Sequence, residues 1–123
     1  LKGAGELEGR TPSEVNVLDS LPGCKEQKLH WDYDPGLIEC LPNGRPKPCS
    51  AIMAMQPGTR LCVYDEAKKA VVKVALGPGD ILVFDGDVAH YGAWYATRNT
   101  RMHVYLDVAM VPREEDVTWF ERW

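Results

Sequence analysis

Hydrophobic and polar positions alternate with a period of two along much of this chain. The clearest case is residues 101–110, where Arg101, His103, Tyr105 and Asp107 fall at every second position, with apolar side chains between them. Successive side chains of a β-strand point to opposite faces, so this segment predicts a strand with one polar and one apolar face. A polar face on an otherwise apolar strand needs a chemical reason.

Shorter segments of the same kind recur, separated by turns rich in Pro, Gly, Asn and Asp. They predict strands at residues 15–18, 26–33, 50–55, 60–65, 70–76, 81–84, 88–95 and 101–110. No segment before the tail has a convincing helical pattern. Residues 114–122 fit either a short helix or a last edge strand. Many short strands with regular turns predict an all-β (mainly β) fold, a sandwich or a barrel.

A chain of 123 residues is the size of one domain. We expect residues 1–25 to be a flexible lead-in with a first short strand, residues 26–110 to be the core, and residues 111–123 to be a tail. Residues 36–49 contain three Pro and two Gly and predict a long loop, either a binding loop or a disordered excursion.

Charge and apolar content narrow the class of protein. The net charge of −4 argues against broad electrostatic capture of nucleic acid. No apolar run is long enough to cross a bilayer, and no secretory signal stands at the start, so we expect an intracellular, cytoplasmic protein without a membrane partner. The four Cys residues form no Cys-x-x-Cys pair. They leave open either reduced thiols or a Cys40–Cys49 disulfide across the loop.

The most informative short motif is His30-x-Asp32. On a strand these two side chains share a face, and they can supply two adjacent positions of a metal coordination shell. His90 is the candidate third ligand. Two His and one carboxylate, with the other positions open, is the arrangement that suits non-haem Fe(II) and oxygen chemistry. A His-x-Asp triplet also arises easily by chance, and then it is an ordinary half-exposed strand edge.

The surroundings of His90 resemble a known family. A Gly79-Asp80 turn, an apolar strand and a Gly-containing break precede His90. This order resembles the second half of a double-stranded β-helix, the jelly roll of the cupin superfamily. Within it, the order His30, Asp32, His90 and Arg101 looks most like the Fe(II)- and 2-oxoglutarate-dependent dioxygenases. The resemblance covers roughly residues 26–110, within the error of such boundaries.

The resemblance implies an oxygenase that uses 2-oxoglutarate and O₂ and releases succinate and CO₂ as it hydroxylates a substrate. It implies that His30, Asp32 and His90 hold Fe(II) and that Arg101 grips the far carboxylate of 2-oxoglutarate, with Arg98 as the fallback. His103 stands where many relatives have a small hydroxyl residue. Further candidates are His103 and Tyr64 for cosubstrate binding, and Trp94, Tyr91 and Arg45 for the substrate, with a peptide or small molecule favoured over nucleic acid.

Several readings stay open at this point. Bracing helices of the family are missing from the pattern, which allows a homodimer that covers an exposed sheet face with aromatic residues such as Trp94. One alternative is a metal-dependent cupin without oxoglutarate chemistry, although such cupins typically carry His-x-His and Glu in the first motif. Another is a non-catalytic jelly-roll binding module in which His30 and Asp32 are incidental.

Overall fold

The computed structural model describes residues 9–113 and 119–120, which form two antiparallel five-stranded sheets and one short helix. We call the first sheet the β9 sheet, after its central strand β9 (Asn99–Asp107). On one side, β9 pairs with β1 (Thr11–Pro12) and β2 (Asn16–Ser20). On the other side it pairs with β4 (Cys49–Ala54), which in turn pairs with β7 (Ile81–Asp85). The second, the β8 sheet, has the order β10 (Trp119–Phe120), β3 (His30–Trp31), β8 (His90–Gly92), β5 (Thr59–Asp65) and β6 (Ala70–Leu76).

The two sheets pack face to face through their apolar inner faces. The main core cluster joins Ile52 and Ala54 of β4 and Phe84 of β7 to Leu61 of β5 and Leu76 of β6. Alternation along each strand puts these side chains inside and their polar neighbours outside. The all-β, double-stranded β-helix (jelly-roll) prediction is confirmed.

The polar face of β9 points into the space between the sheets. Arg101 lies opposite Ala54 on β4 and Leu18 on β2 in the strand register. Arg101 and His103 are both buried. The polar alternation predicted for this strand is therefore an interior feature, and it brings ionisable side chains to the inner face of the β9 sheet.

One prediction about the local structure was wrong: a helix does precede the tail. Helix α1 (Pro35–Glu39) begins after Asp34, whose carboxylate accepts a hydrogen bond from the Gly36 backbone N–H at 2.9 Å. An Asp N-cap followed by Pro at the first helical position starts a helix, although the same residue types also form turns. The helix buries Ile38 against Tyr33, and thereby anchors the start of the predicted long loop.

Several strands are shorter than predicted. The segment expected at residues 26–33 is a strand only at His30–Trp31. The tail forms an edge strand at Trp119–Phe120, in register with Trp31 and His30. The rest of the tail, residues 114–118 and 121–123, lies outside the described residues, as do residues 1–8 of the lead-in.

Two further expectations can be compared with the described part of the chain. All four cysteines are free thiols, so Cys40 and Cys49 are not joined. Within residues 9–113 and 119–120, no helix has the length and apolar character needed to span a membrane.

Candidate metal centre

The three predicted ligands converge on the inner face of the β8 sheet. His30 on β3 and His90 on β8 are register partners, and their ring centroids lie 4.7 Å apart. Asp32 comes two residues after His30. Its Oδ2 lies 3.2 Å from Nε2 of His90, and its Oδ1 lies 3.5 Å from Nε2 of His30. All candidate ligand atoms lie within 4.8 Å of one another. The strand pairing thus gathers residues 60 positions apart into one donor cluster.

Backbone carbonyls fix the orientation of both imidazoles. Nδ1 of His30 lies 2.6 Å from the Lys28 carbonyl oxygen, and Nδ1 of His90 lies 3.1 Å from that of Val88. A carbonyl only accepts hydrogen bonds, so each Nδ1 carries the proton and donates. In the neutral imidazole each Nε2 then presents a lone pair toward Asp32. Such a bond from the second ring nitrogen is the usual way in which proteins orient a metal-binding His.

Electrostatics favours a cation at the centre of this cluster. Burial raises the pKa of the Asp32 carboxyl, but the adjacent His30 and His90 imidazoles outweigh burial and hold that pKa well below its usual range. Burial lowers the pKa of His30, whereas the neighbouring Asp32 carboxylate and the Lys28 carbonyl raise it, with a net rise. Two lone pairs and a carboxylate that face one another need positive charge between them. Two imidazole nitrogens and one carboxylate oxygen form a donor set that can hold a metal ion.

A cavity of about 380 Å³ opens between the two sheets at the triad. The triad forms one wall, and the inner face of β9 forms the wall opposite. Besides the triad, the lining residues are Leu18, Asp19, Ser20, Gln27, Ile52, Leu61, Gly92, Arg101, His103 and Tyr105. The cavity therefore combines a candidate metal site with a cationic side chain from the other sheet.

Arg101 is a buried cation in this cavity, only 8% exposed. Its Nη1 donates to Ser20 Oγ at 3.1 Å and to Asn99 Oδ1 at 3.4 Å. The guanidinium carbon lies 5.3 Å from the centroid of the Tyr95 ring. Among the described residues, no carboxylate lies within ion-pairing distance of it. A buried charge without a counter-ion is costly, so this side chain is set up to receive an anion.

Asp19, a carboxylate that also lines the cavity, pairs with Arg98 instead of Arg101. Asp19 accepts hydrogen bonds from Nε of Arg98 at 2.9 and 3.1 Å and from Nη2 at 2.5 Å. Arg98, the fallback cosubstrate residue, is a surface side chain and does not line the cavity. Of the two arginines, the structure places Arg101 in the cavity.

His103 and Tyr105 complete the β9 wall. Burial, with the positive charges of Arg113 and Arg101 nearby, lowers the pKa of His103 to about 4, against an opposing effect of Asp32. Burial also raises the pKa of the Tyr105 hydroxyl, and the negative charge of Asp32 adds to that rise. Both side chains are therefore neutral at pH 7. His103, a predicted cosubstrate residue, lines the same cavity as Arg101.

The other predicted site residues lie outside the cavity. Tyr64 lies in a separate groove that also includes Trp31. Tyr91 packs beside Cys62 and, as the neighbour of His90, points to the opposite face of β8. Trp94 is 47% exposed. The structure does not bring these three aromatic residues to the triad.

Arg45 lies in a second groove, of about 560 Å³, on the far side of β3 from the triad. The groove is formed by the loop after α1 and by Trp31, and it includes Lys47, whose Nζ lies 2.8 Å from Asp87 Oδ2.

Sequence reasoning also missed residues that line the cavity at the triad. Tyr105 could have been found from the alternation that revealed Arg101, whereas Ser20 and Gln27 carry no signal in the sequence.

Comparisons with known proteins place the fold. No family model and no curated protein matches this chain. Among solved structures it is similar to AviO1 from Streptomyces viridochromogenes Tue57, with a TM-score of 0.60 and 20% identity over 85% of this chain and 54% of that one. It is also similar to a Pseudomonas putida prolyl-4-hydroxylase, with a TM-score of 0.57 and 16% identity over 76% of this chain and 51% of that one.

A third similar structure is an oxalate decarboxylase from B. subtilis, with a TM-score of 0.58 and 17% identity over 87% of this chain but 23% of that one. The chain thus spans about half of the hydroxylase and a quarter of the decarboxylase. At these identities the likeness establishes the fold alone. The chain has a double-stranded β-helix (jelly-roll) fold, with a His-Asp-His cluster that can hold a metal ion.

Proposed function

We propose that this protein is an Fe(II)- and 2-oxoglutarate-dependent oxygenase that hydroxylates its substrate. One observation carries the proposal: the His-Asp-His cluster and the buried Arg101, which lacks a carboxylate partner among the described residues, line one cavity. A metal site alone fits many cupins. A metal site facing a buried cation fits a ligand with a metal-binding group at one end and a carboxylate at the other.

The residues of the β8 sheet would hold the metal. His30 and His90 would bind through Nε2, because each Nδ1 is committed to a backbone carbonyl. Asp32 would add one carboxylate oxygen and offset part of the metal charge. When bound, Fe(II) supplies the activation of O₂, coupled to oxidative decarboxylation of 2-oxoglutarate, so that succinate, CO₂ and a hydroxylated substrate result.

Arg101 would bind the far carboxylate of 2-oxoglutarate. A guanidinium presents paired N–H donors that match a carboxylate, and the low polarity of a buried site strengthens the contact. Ser20 and Asn99 hold Nη1, and the ring of Tyr95 lies near the guanidinium carbon. This support keeps the group oriented before the ligand arrives, so less conformational entropy is lost on binding.

The net charge of the chain and a groove near the site indicate the class of substrate. The net charge of −4 favours a peptide or a small molecule over nucleic acid. The groove with Arg45 and Lys47 runs along the other face of β3, the strand that carries His30. The exposed Trp94 region is the proposed contact surface of a homodimer, which a measurement of the oligomeric state in solution would test.

The test is an anaerobic titration of the protein with Fe(II) and 2-oxoglutarate, read from the visible metal-to-ligand charge-transfer band. We expect the band in the wild type and no band in His30→Ala. Arg101→Gln should weaken 2-oxoglutarate binding roughly 30-fold or more, because a buried charge pair is lost. Lys73→Gln is the control, since it removes an exposed cation of β6 that does not line the cavity, and it should leave the affinity unchanged.

Other outcomes select the alternatives. Metal binding that depends on His30 but shows no response to 2-oxoglutarate would overturn the oxygenase proposal in favour of a metal-dependent cupin with a different ligand. No metal binding and no thermal shift with either addition would leave a non-catalytic jelly-roll binding module. Succinate release in a substrate screen would follow a positive titration.

A further inference from the structure

Arg113 is joined to the end of β9 by a turn and by two hydrogen bonds. In the turn, at residues 108–111, the Val111 backbone N–H donates to the Val108 carbonyl at 3.3 Å. The chain thereby returns to Asp107, whose two carboxylate oxygens accept from Nε of Arg113 at 3.1 Å and from Nη2 at 3.2 Å. The Arg113 side chain is only 15% exposed. A paired bond of this kind, mostly shielded from water, is stronger and better oriented than an ordinary surface ion pair.

The guanidinium of Arg113 holds two residues that both contact Tyr33. Its carbon lies 3.8 Å from the centroid of the Tyr105 ring, a close cation–π contact. Tyr105 packs edge-on against the ring of Tyr33, with centroids 5.9 Å apart. Asp107 Oδ1 accepts a hydrogen bond from the Tyr33 hydroxyl at 2.7 Å. The two partners of Arg113 therefore hold the buried Tyr33 side chain at its ring and at its hydroxyl.

Asp32 is the member of the triad that lies outside the strands. It stands in the short connection between β3 and α1, beyond the strand pair that joins His30 to His90. Its carboxylate faces the two imidazoles, and these contacts change once each Nε2 lone pair is used to bind a metal ion. Tyr33 is the buried side chain of the same connection. The packing of Tyr33 therefore anchors the backbone that carries the Asp32 carboxylate.

We propose that Arg113 is a positioning residue of the metal site, which acts on Asp32 through Tyr33. Arg113 does not touch the metal ligands itself; it holds Asp107 and Tyr105 against Tyr33, and Tyr33 holds the carboxylate ligand that precedes it. Outer partners of this kind orient metal ligands, and their loss weakens metal binding. The inference rests on the metal site of the proposed function and deepens it, and it does not depend on 2-oxoglutarate.

The experiment titrates Co(II), whose visible absorption bands report binding, into the metal-free protein at a temperature at which every variant is folded. Arg113→Gln removes the paired donors to Asp107 and the cation over Tyr105, and it should weaken Co(II) binding roughly tenfold or more. Tyr33→Phe removes the hydroxyl bond to Asp107 and should weaken Co(II) binding in the same way. Because both changes act through the same contacts, the double variant should lose less affinity than the product of the two factors.

A control variant separates positioning from a general loss of stability. Val74 of β6 packs against the main core and does not line the cavity. Val74→Ala should lower the melting temperature and yet leave the Co(II) affinity within about twofold of the wild type, because distant sites act independently.

Three results would overturn the inference. They are wild-type Co(II) affinity in Arg113→Gln, an equal loss of Co(II) affinity in Val74→Ala, and fully additive effects of Arg113→Gln and Tyr33→Phe. Each of these leaves the proposed function standing. A wild type that binds Co(II) but does not respond to 2-oxoglutarate would remove the oxygenase proposal alone, whereas a wild type that binds no metal would remove both.

Discussion

Gly86 joins the core directly to the metal site, and Gly86→Ala is the sharpest test of that connection. Gly86 follows β7, and its backbone N–H donates to the Pro48 carbonyl at 2.7 Å. A Cβ atom at this position would lie 2.7 Å from Cδ2 of Tyr33, 3.1 Å from Cγ of Pro48 and 3.2 Å from Cδ1 of Ile38. The first of these distances is far inside van der Waals contact, so the neighbouring structure must move.

Tyr33 has little freedom to give way. It is 0% exposed, and its hydroxyl donates to Asp107 Oδ1 at 2.7 Å. Adding one carbon to a packed core of this kind costs about 1–3 kcal/mol. For a domain of this size, each kcal/mol lowers the melting temperature by about 4 °C, so a fall of about 4–12 °C is expected. Because Tyr33 directly follows Asp32, its displacement should also weaken Fe(II) binding.

The assay is thermal unfolding of the metal-free protein, followed by Fe(II) titration under nitrogen. Gly77→Ala is the matched control, because the added Cβ would meet only Asp80 Oδ2, at 3.4 Å, an ordinary contact. The control should change the melting temperature by no more than about 2 °C. If Gly86→Ala melted within about 2 °C of the wild type, the packing argument that connects Gly86 to Tyr33 and Asp32 would be refuted.

Three further predictions follow from single contacts. Burial lowers the pKa of His103 from 6.5 in the unfolded chain to about 4 in the folded protein. As the pH falls, His103 is therefore protonated in the unfolded state before it is protonated in the folded state, and the free energy of unfolding decreases. Between pH 8 and pH 5, His103 should lower the free energy of unfolding by about 2 kcal/mol. Urea titrations at the two pH values should show this decrease in the wild type but not in His103→Leu. Asp34→Ala removes the cap on the Gly36 N–H and should cost about 1 kcal/mol in the same titration, whereas no change would mean that α1 does not need its cap. Tyr33→Phe removes the hydroxyl bond to Asp107 and should cost about 1.5 kcal/mol by thermal melting, and an unchanged melting temperature would argue against that bond.

Local alternation was enough to predict most of the fold. The strand expected at residues 70–76 occurs as β6 (Ala70–Leu76), and β9 differs from the prediction by a few residues at each end. The helix α1 was missed because its five residues are too few to show a 3.6-residue period. Its start signal, Asp34 followed by Pro35, is chemically the same as a turn signal, and only the packing of Ile38 decides between the two.

Site residues could be predicted where alternation within a single strand determines the face on which a side chain lies. His30 and Asp32 share a face by parity alone, and parity also places Tyr91 away from the triad, because it adjoins His90. Ser20 and Gln27 reach the cavity through long-range pairing. Ser20 faces Asn99 across the β2–β9 ladder, and Gln27 accepts from the Gly92 N–H at 2.9 Å. Register between distant strands cannot be read from the sequence of either strand.

The bonds from Nδ1 of each ligand His to the carbonyl two residues upstream have a consequence for how this cavity can evolve. Lys28 and Val88 hold His30 and His90 through main-chain atoms, which any amino acid would supply at those positions. The orientation of the ligands is thus insulated from side-chain mutation around them. Cavity walls can drift toward other small molecules while the donor cluster stays in place, so diversification does not have to rebuild the metal site each time.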